Sequence, residues 1–472
     1  MSTHPALPAG ERVLPPWLKS LFLATFVVVA CWGSAIVYWR TTKANPATGE
    51  LLLYLLGLPV CLVLVGFIGQ KLIPRPAAAP AATAVPTPAK ASAAPSQTRP
   101  LAILAASLRL PHGASPEELA LAIAANKARA DLDKELVDED GFPIMAARCK
   151  YALDETLRDE IGEWLALNGM TGLQFNDEQW RALTPASAVV AELAAQAAGP
   201  ILYQVDTQAK LQLIPLLPAE WDAEQGRAAG MWLKQTVARY GWPGDHVIVT
   251  TEHPALADDV SPSAVVNRLA HNSAGTENAP LIVMAVAFDS HIGDESVARW
   301  AANGSLFTSS QPHGHIPGEG AVGLLMTDRL SLAESSTIAV LDGVEEAYLD
   351  SSADETKRVD SSLLRELSER AFQRSGIDAS DVAMVVADTG QRPSRVLELL
   401  ALKAAGLSRL DETDDVVRVG VASGTCGTVP FFAALALGRY FALERGAPVL
   451  CVGNEDSYRR MVALVRSSEF PS

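Results

Sequence analysis

Residues 281–327 constrain the fold of this chain more than any other stretch. They open with a continuous apolar run, LIVMAVAF, and end with a second one, AVGLLMT, after a turn built on Pro317 and Gly318. An unbroken apolar run of this length indicates a strand buried on both faces, because a strand with one wet face would alternate. We therefore predict a central strand, a loop with a short helix at 295–301, and a second buried strand whose entry turn lies against the sheet.

The rest of the chain beyond residue 100 alternates between strand and helix patterns. A first strand starts at Leu101, and Ser115 caps a helix that we expect to continue over 120–136. Further strands are predicted at 210–217, 246–251, 335–348, 381–387, 416–422 and 447–453. Helices are predicted at 188–198, 227–240, 361–376, 395–404 and 430–443. This alternation predicts an α/β domain with a mixed or parallel sheet, in two halves of about 101–328 and 335–472.

The amino-terminal part has a different composition. Residues 17–39 and 51–70 are apolar runs long enough to cross a bilayer, and the first is too long for a signal-peptide core. We predict a two-pass transmembrane hairpin, with the soluble domain on the cytoplasmic side by the distribution of Lys and Arg. Residues 74–100 form an Ala/Pro-rich linker without the apolar residues needed for a core.

Charge and cysteine spacing exclude several classes of function. The formal net charge is -16 and the basic residues form no cluster, which argues against nucleic acid as a partner. The five cysteines include no C-x-x-C pair, so we predict reduced thiols and no metal. We also predict no cofactor, because the one Gly-x-Gly-x-x-Gly pattern, at Gly318, Gly320 and Gly323, leads into a strand instead of opening a helix.

Three segments resemble thiolase-fold condensing enzymes, the β-ketoacyl synthases and thiolases. They are the PGEGA turn at 317–321, the segment GIDASDVAMVVADTGQRPSRVLELLAL and the segment VRVGVASGTCGTVPFFAALALG. The resemblance covers most of residues 101–466 and implies a duplicated α/β unit with a five-layered core. The expected fold class is therefore α/β, with an N-terminal transmembrane hairpin followed by a thiolase-like domain with mixed sheets.

The resemblance also implies where an active site would lie. Condensing enzymes place a nucleophilic cysteine at the start of the buried helix that precedes the strand matching Leu281, but the corresponding segment DDVSPSAVV at 258–266 has none. Ser261 or Ser263 is better interpreted there as a helix cap than as a nucleophile. The family's two histidine-bearing turns match ADTGQ and ASGTCGT, which lack histidine. The candidates for this degenerate site are Asp289, His315, Glu319, Asp388 and Cys426.

Two of these candidates have alternative interpretations. Cys426 lies between glycines just ahead of a helix, where a thiolate could be activated, but a small buried residue in a tight strand-to-helix turn is the better explanation. His315, with His313, could bind a metal or shuttle a proton, or pack on the PGEGA turn.

The layout as a whole, with its hairpin, its spacer and a domain ending in PVLCVGNEDSYRRMVALVR, resembles the type VI lipase adapter family of Gram-negative bacteria. This implies a non-catalytic adapter at the inner membrane. Its partners would be a secreted phospholipase effector and the spike protein of the secretion machine. Two alternatives stay open: a membrane-tethered thiolase-like acyltransferase that uses Cys426, and a structural subunit of a membrane complex.

Overall fold

The computed structural model describes residues 99–138, 140–198, 210–251, 261–272, 281–329, 337–355 and 359–469. All of these belong to one compact unit that extends from Ala93 to Ser472. The predicted membrane helices at 17–39 and 51–70, and nearly all of the linker at 74–100, lie outside the described residues. Within the described part of the chain, no helix is both long enough and apolar enough to cross a membrane.

The first half contains seven strands and six helices within the described residues. Its strands are β1 (Leu101–Arg109), β2 (Asp131–Val137), β3 (Pro143–Ala146), β4 (Leu211–Leu216), β5 (Val247–Val249), β6 (Ile282–Ser290) and β7 (Glu319–Thr327). Its helices are α1 (Pro116–Ala124), α2 (Glu155–Leu167), α3 (Asp177–Ala198), α4 (Ala223–Arg239), α5 (Pro262–Asn272) and α6 (Asp294–Ala302).

The second half is shorter. Its strands are β8 (Thr337–Tyr348), β9 (Met384–Ala387), β10 (Val416–Arg418), β11 (Val449–Gly453) and β12 (Arg459–Glu469). Its helices are α7 (Ser362–Ser375), α8 (Pro393–Gly406) and α9 (Val429–Arg445), with a single helical turn at Gly420–Ser423 before α9.

Ten of these strands form one mixed sheet in the order β10-β9-β11-β12-β8-β1-β7-β6-β4-β5. The two halves repeat the same pattern outward from the junction between β8 and β1. In each half two antiparallel pairings are followed by two parallel ones, through β1-β7-β6-β4-β5 and through β8-β12-β11-β9-β10. The mixed sheet predicted from the alternation of elements is therefore confirmed, and the topology is internally duplicated.

The apolar run that opens residues 281–327 forms β6, and every residue of this strand is buried. Ile282, Met284 and Val286 pack into a cluster with α3 and α4. Val283 and Ala285 pack into a different cluster, which includes much of α9. Burial on both faces explains why the run is continuous, as predicted. β6 lies between β4 and β7, inside the sheet.

The cluster around α9 takes residues from both halves of the sheet. It contains apolar side chains of β1, β6 and β7 from the first half and of β8, β9, β11 and β12 from the second. Separate clusters under α2 to α4 and under α7 and α8 bury the opposite faces of the two halves. α9 is thus an internal helix, which explains why it is apolar on almost all sides.

Three element predictions were wrong in extent. The helix predicted at 188–198 begins at Asp177, with Pro185 inside it. The helix expected over 120–136 ends at Ala124, where Asn126 adopts a positive φ of 55° that stops the helix, and β2 follows. The strand expected over 416–422 ends at Arg418. Gly420 instead starts a helical turn, and it packs so closely on the backbone of Asp388 that a side chain there would overlap with it.

Candidate functional site

Two turns, one from each half, meet beside the carboxyl end of β6. The first comprises residues 315–320 and the second residues 423–427, and we refer to them as the paired turns. Gly318 N donates to Thr425 O at 3.1 Å, and Thr425 N donates to Ile316 O at 2.8 Å. A Cβ on Gly318 would overlap with the carbonyl oxygen of Ser423. The first glycine of the PGEGA motif, Gly318, is therefore required because the backbone of the first half approaches the backbone of the second half closely at this point.

Glu319, the acidic residue of the same motif, is completely buried and fully hydrogen-bonded. Its two carboxylate oxygens accept from Arg181 Nε at 2.8 Å and from Arg181 Nη2 at 2.6 Å. Cys149 N and Ser290 Oγ donate to it as well, at 2.7 and 3.0 Å. Burial raises the pKa of Glu319 while Arg181 opposes that rise. With four donors already bound, this carboxylate is a structural anchor between α3, β6 and β7.

Cys426 faces back into the first half. Its thiol donates to the backbone oxygen of Asp289 at 3.3 Å, and only 1% of the residue is exposed. Burial, followed by the charges of Asp289 and Glu319, raises the pKa of the Cys426 thiol well above its ordinary value. A nucleophilic thiolate needs positive charge or helix N–H groups near the sulfur and access to a substrate. The carboxylates of Asp289 and Glu319 disfavour a thiolate at Cys426, and burial closes the sulfur to a substrate.

Asp289 is also buried, and its carboxylate lies against Gly427, where a Cβ would overlap with Oδ2. His291 Nε2 is 3.5 Å from the same oxygen, and His291 Nδ1 is 3.1 Å from Ser296 Oγ. Burial raises the pKa of Asp289, and His291 partly offsets this. His291 was not singled out in the sequence. Its position two residues after Asp289, at the end of a buried strand, was the available signal.

His315 belongs to the first of the paired turns. Its ring packs against Trp300 with a centroid distance of 5.2 Å, and Nδ1 lies 3.4 Å from Thr425 Oγ1 in the opposite turn. Burial and the nearby charge of Arg392 lower the pKa of His315 to about 4. The imidazole is therefore neutral at neutral pH and packs on the paired turns. In the described part of the chain, no group of three or more His, Cys, Asp or Glu could hold a metal ion.

Asp388 lies in the turn after β9. Its Oδ1 accepts from the backbone N–H groups of Asn454 and Glu455, at 2.8 and 3.0 Å. Gln391, three residues on, donates to Gly314 O at 3.2 Å and so connects this turn to the loop that carries His315. Burial raises the pKa of Asp388 to about 7, and the charge of Glu455 adds to that rise.

The raised pKa of Asp388 predicts a pH-dependent stability. Its folded pKa of about 7 exceeds the ordinary 3.8, so the protonated carboxyl supports the fold fully below pH 4 and this support is lost as pH rises through 7. The loss is on the order of 4 kcal/mol. Asp388→Asn keeps the acceptor oxygen without the charge. We expect it to raise the urea midpoint at pH 8 and to leave it nearly unchanged at pH 4.

The control for this experiment is Asp245→Asn, which removes an exposed carboxyl whose side chain is 82% accessible. It should change the urea midpoint little at either pH. If Asp388→Asn lowers the midpoint at pH 8, the carboxylate is charged in the folded protein and its charge is needed.

The start of α5 holds the two serines at the expected nucleophile position. Ser261 Oγ accepts from Ala264 N at 3.0 Å, which is the predicted helix cap. Both hydroxyls donate to Glu346 Oε2 on β8, Ser261 at 2.8 Å, and the two hydroxyl oxygens are 2.7 Å apart. Ser261 and Ser263 are 4% and 1% exposed. Their hydroxyls are thus used within the fold.

A further polar cluster beside Asp388 was not found from the sequence. Arg392 is 3% exposed and contacts Glu455 at 2.9 Å and Asp354 at 3.1 Å. Arg395, which is fully buried, contacts Asp354 at 2.7 Å. Because these four residues come from three distant segments, at positions 354, 392 to 395 and 455, no local pattern in the sequence connects them.

No protein-family model and no curated protein sequence matches this chain. Solved structures do. The ishigamide ketosynthase/chain length factor matches with a TM-score of 0.50 and 17% identity, over 78% of this chain and 99% of the other. The ketosynthase from module 6 of the bacillaene synthase of Bacillus subtilis 168 gives 0.53 and 12%, over 79% and 72%. The oxazolomycin ketosynthase domain of Streptomyces albus JA3453 gives 0.52 and 12%, over 79% and 76%. The described domain therefore has the ketosynthase-like form of the thiolase fold, as predicted.

Proposed function

We propose that this ketosynthase-like domain is a non-catalytic binding domain and that its ligand is a protein. The observation that carries the proposal is the state of Cys426, the described cysteine that lies directly before the internal helix α9. Its thiol is buried, donates to a backbone oxygen and faces the carboxylates of Asp289 and Glu319. Such surroundings hold a thiol protonated and closed to substrate, which is the opposite of what nucleophilic catalysis requires.

The other candidate residues support the same proposal. Glu319 has four donors within the fold, and Asp388 accepts two backbone N–H groups. Ser261 and Ser263, at the position expected for a nucleophile, both donate to Glu346. A fold can be kept when its chemistry is lost, because function resides in the site.

We infer further that the partner is a secreted phospholipase and that the chain is a type VI secretion adapter at the bacterial inner membrane. The support is the layout of two apolar runs at 17–39 and 51–70, the linker at 74–100 and a thiolase-like domain. A long spacer lets a tethered domain turn toward a bulky protein while staying concentrated at the membrane. The net charge of -16 favours a neutral or basic partner surface.

The test is binding and export. The full chain, purified in mild detergent, should co-purify with a secreted phospholipase that is expressed together with it. Deletion of the chain should block export of that lipase while the secretion machine still exports its other substrates. Absence of binding at micromolar concentrations, or normal lipase export in the deletion strain, contradicts the adapter proposal. Loss of all secretion would instead identify a structural subunit.

The substitution Cys426→Ser distinguishes the adapter proposal from the acyltransferase alternative, which the ketosynthase-like fold favours. The turn needs a small side chain more than a thiolate, so we expect lipase binding and export to be unchanged. A thiol-reactive acyl analogue should leave Cys426 unlabelled in the native chain and label it after unfolding, as read by peptide mass. Native labelling of Cys426, together with loss of function in Cys426→Ser at an unchanged melting temperature, would establish the enzyme.

A further inference from the structure

A groove of about 710 Å³ lies at the outer edge of the second half. Helices α1, α8 and α9 and strand β10 form its walls. Its floor is apolar and includes Leu399, Val417 and Phe441, all of them buried. At its mouth Leu121 is 61% exposed. The groove is distinct from the paired turns and from the other candidate residues.

All three residues of β10 line this groove, and β10 is the outermost strand of the sheet at this end of the described structure. The backbone N–H and C=O groups of successive β10 residues point alternately toward β9 and toward the groove. Val385 N of β9 donates to Asp415 O, and Val419 N donates to Ala387 O, both at 2.8 Å. In a parallel ladder this register turns the N–H and C=O of Val417 toward β9. The same groups of Val416 and Arg418 therefore point outward, as a strand-pairing edge.

The rim of the groove is negative. Glu412, Asp414 and Glu444 line it, and all three are exposed. The two arginines that line it are directed at groups of the chain itself. Arg445 binds Asp415 at 2.7 Å, and Arg418 Nη1 lies 3.5 Å from Gly390 O. The carboxylates are therefore left to attract positive charge from a ligand.

We propose that the groove binds an extended segment of a partner protein in which apolar residues alternate with Lys or Arg. Such a segment would add a strand to β10, bonding to the outward backbone groups of Val416 and Arg418. Its apolar side chains would face the floor and its basic ones the carboxylates of the rim, because successive side chains of a strand point to opposite sides. This inference rests on the proposed function in taking the ligand to be a protein.

The first experiment measures fluorescence anisotropy of a labelled dodecapeptide of alternating Lys and Val, titrated with the full chain in detergent. We expect binding that weakens as salt is raised, and at least tenfold weaker binding of the matched Glu/Val peptide. The double variant Glu412→Lys/Glu444→Lys should weaken binding of the Lys/Val peptide at least tenfold. Asp159→Lys/Glu163→Lys makes the same change in net charge on exposed residues of α2 and should leave binding unchanged. Equal weakening by both variants overturns the site.

The second experiment tests the backbone contacts without altering the protein. A Lys/Val peptide N-methylated at every residue keeps its charge and apolar side chains but loses the N–H groups on both edges, so it should not pair with β10 in either direction and should not bind. Affinity equal to that of the parent peptide excludes strand addition, as does tighter binding of a helix-forming Lys/Leu peptide.

The lipase assay distinguishes failure of this site from failure of the proposed function. Lipase that binds the wild-type chain and Glu412→Lys/Glu444→Lys equally well overturns the groove and leaves the adapter role standing. Peptide binding that depends on the groove, without any lipase binding, supports the groove and contradicts the adapter role. If the double variant abolishes self-association of the chain in sedimentation experiments, the occupant is a second copy and the proposal is wrong.

Discussion

Replacing Arg181 with methionine is expected to destabilise the domain by about 3–5 kcal/mol at neutral pH, because it leaves a buried carboxylate without its counter-charge. Glu319 is 0% exposed, and Arg181 supplies two of its four hydrogen bonds. The measurement is urea unfolding followed by tryptophan fluorescence, since Trp180 is the neighbour of Arg181 in α3. The loss should be smaller at pH 5 than at pH 8. In the variant Glu319 has no guanidinium partner, and at the lower pH it can bind a proton, which removes its uncompensated charge.

Two further variants make this experiment specific. Arg227→Met removes an arginine whose ion pair with Glu224 is 64% and 72% exposed, and it should change stability by less than about 1 kcal/mol. Arg181→Met/Glu319→Gln removes both charges and should recover part of the loss. If Arg181→Met is as mild as Arg227→Met, Glu319 is not held as an ion in the folded chain and would be free for another role.

Gly318→Ala is expected to destabilise the domain by about 3 kcal/mol, at the upper end of what overpacking causes. A Cβ there would overlap with Ser423 O and lie 2.9 Å from the carbonyl carbon and 3.0 Å from Gly424 Cα. All three atoms are backbone, so no side-chain rotation relieves the contact. The paired turns would have to separate, which stretches the hydrogen bond from Gly318 N to Thr425 O. The same urea assay measures this.

Gly162→Ala is the matched control for that substitution. Gly162 lies within α2, and a Cβ there meets nothing within 4 Å. Because alanine is a better helix former than glycine, we expect stability to rise by about 0.5–1 kcal/mol. A Gly318→Ala variant that is as stable as the wild type would show that the two halves are not held together through these turns.

The sequence anticipated much of the fold because that information is local. A continuous apolar run predicted the buried β6, and the Ser-Pro-Glu-Glu pattern predicted the cap of α1 by Ser115, whose hydroxyl accepts from Glu118 N. The pattern was weaker where charged residues formed the element. β2, with the sequence DLDKELV, has good helix formers and only two buried residues. Pairing with β3 decided its conformation, and no single-segment pattern reports such pairing.

The sequence predicted which residues form the candidate site but not what each of them does. Four of the five candidates, Asp289, His315, Glu319 and Cys426, are joined by contacts that run through the paired turns. Their partners were not foreseen. Arg181 and Glu455 show no motif, because each acquires its role only when an element distant in the chain is brought against it.

The sequence by itself determined the order of elements apart from β2 and β3, the apolar core strands and the absence of a cysteine from residues 258–266. Each depends on residue identity within a few positions. Only the tertiary structure decided that Gly318 lets two backbones approach closely, that Glu319 is bound by Arg181, and that Cys426 of the second half faces carboxylates of the first. It also placed an apolar floor, the outermost strand edge of the described sheet and an acidic rim around one groove. Burial and electrostatics act between residues that are close in space, and their sequence separation, 138 positions for Arg181 and Glu319, carries no trace of that proximity.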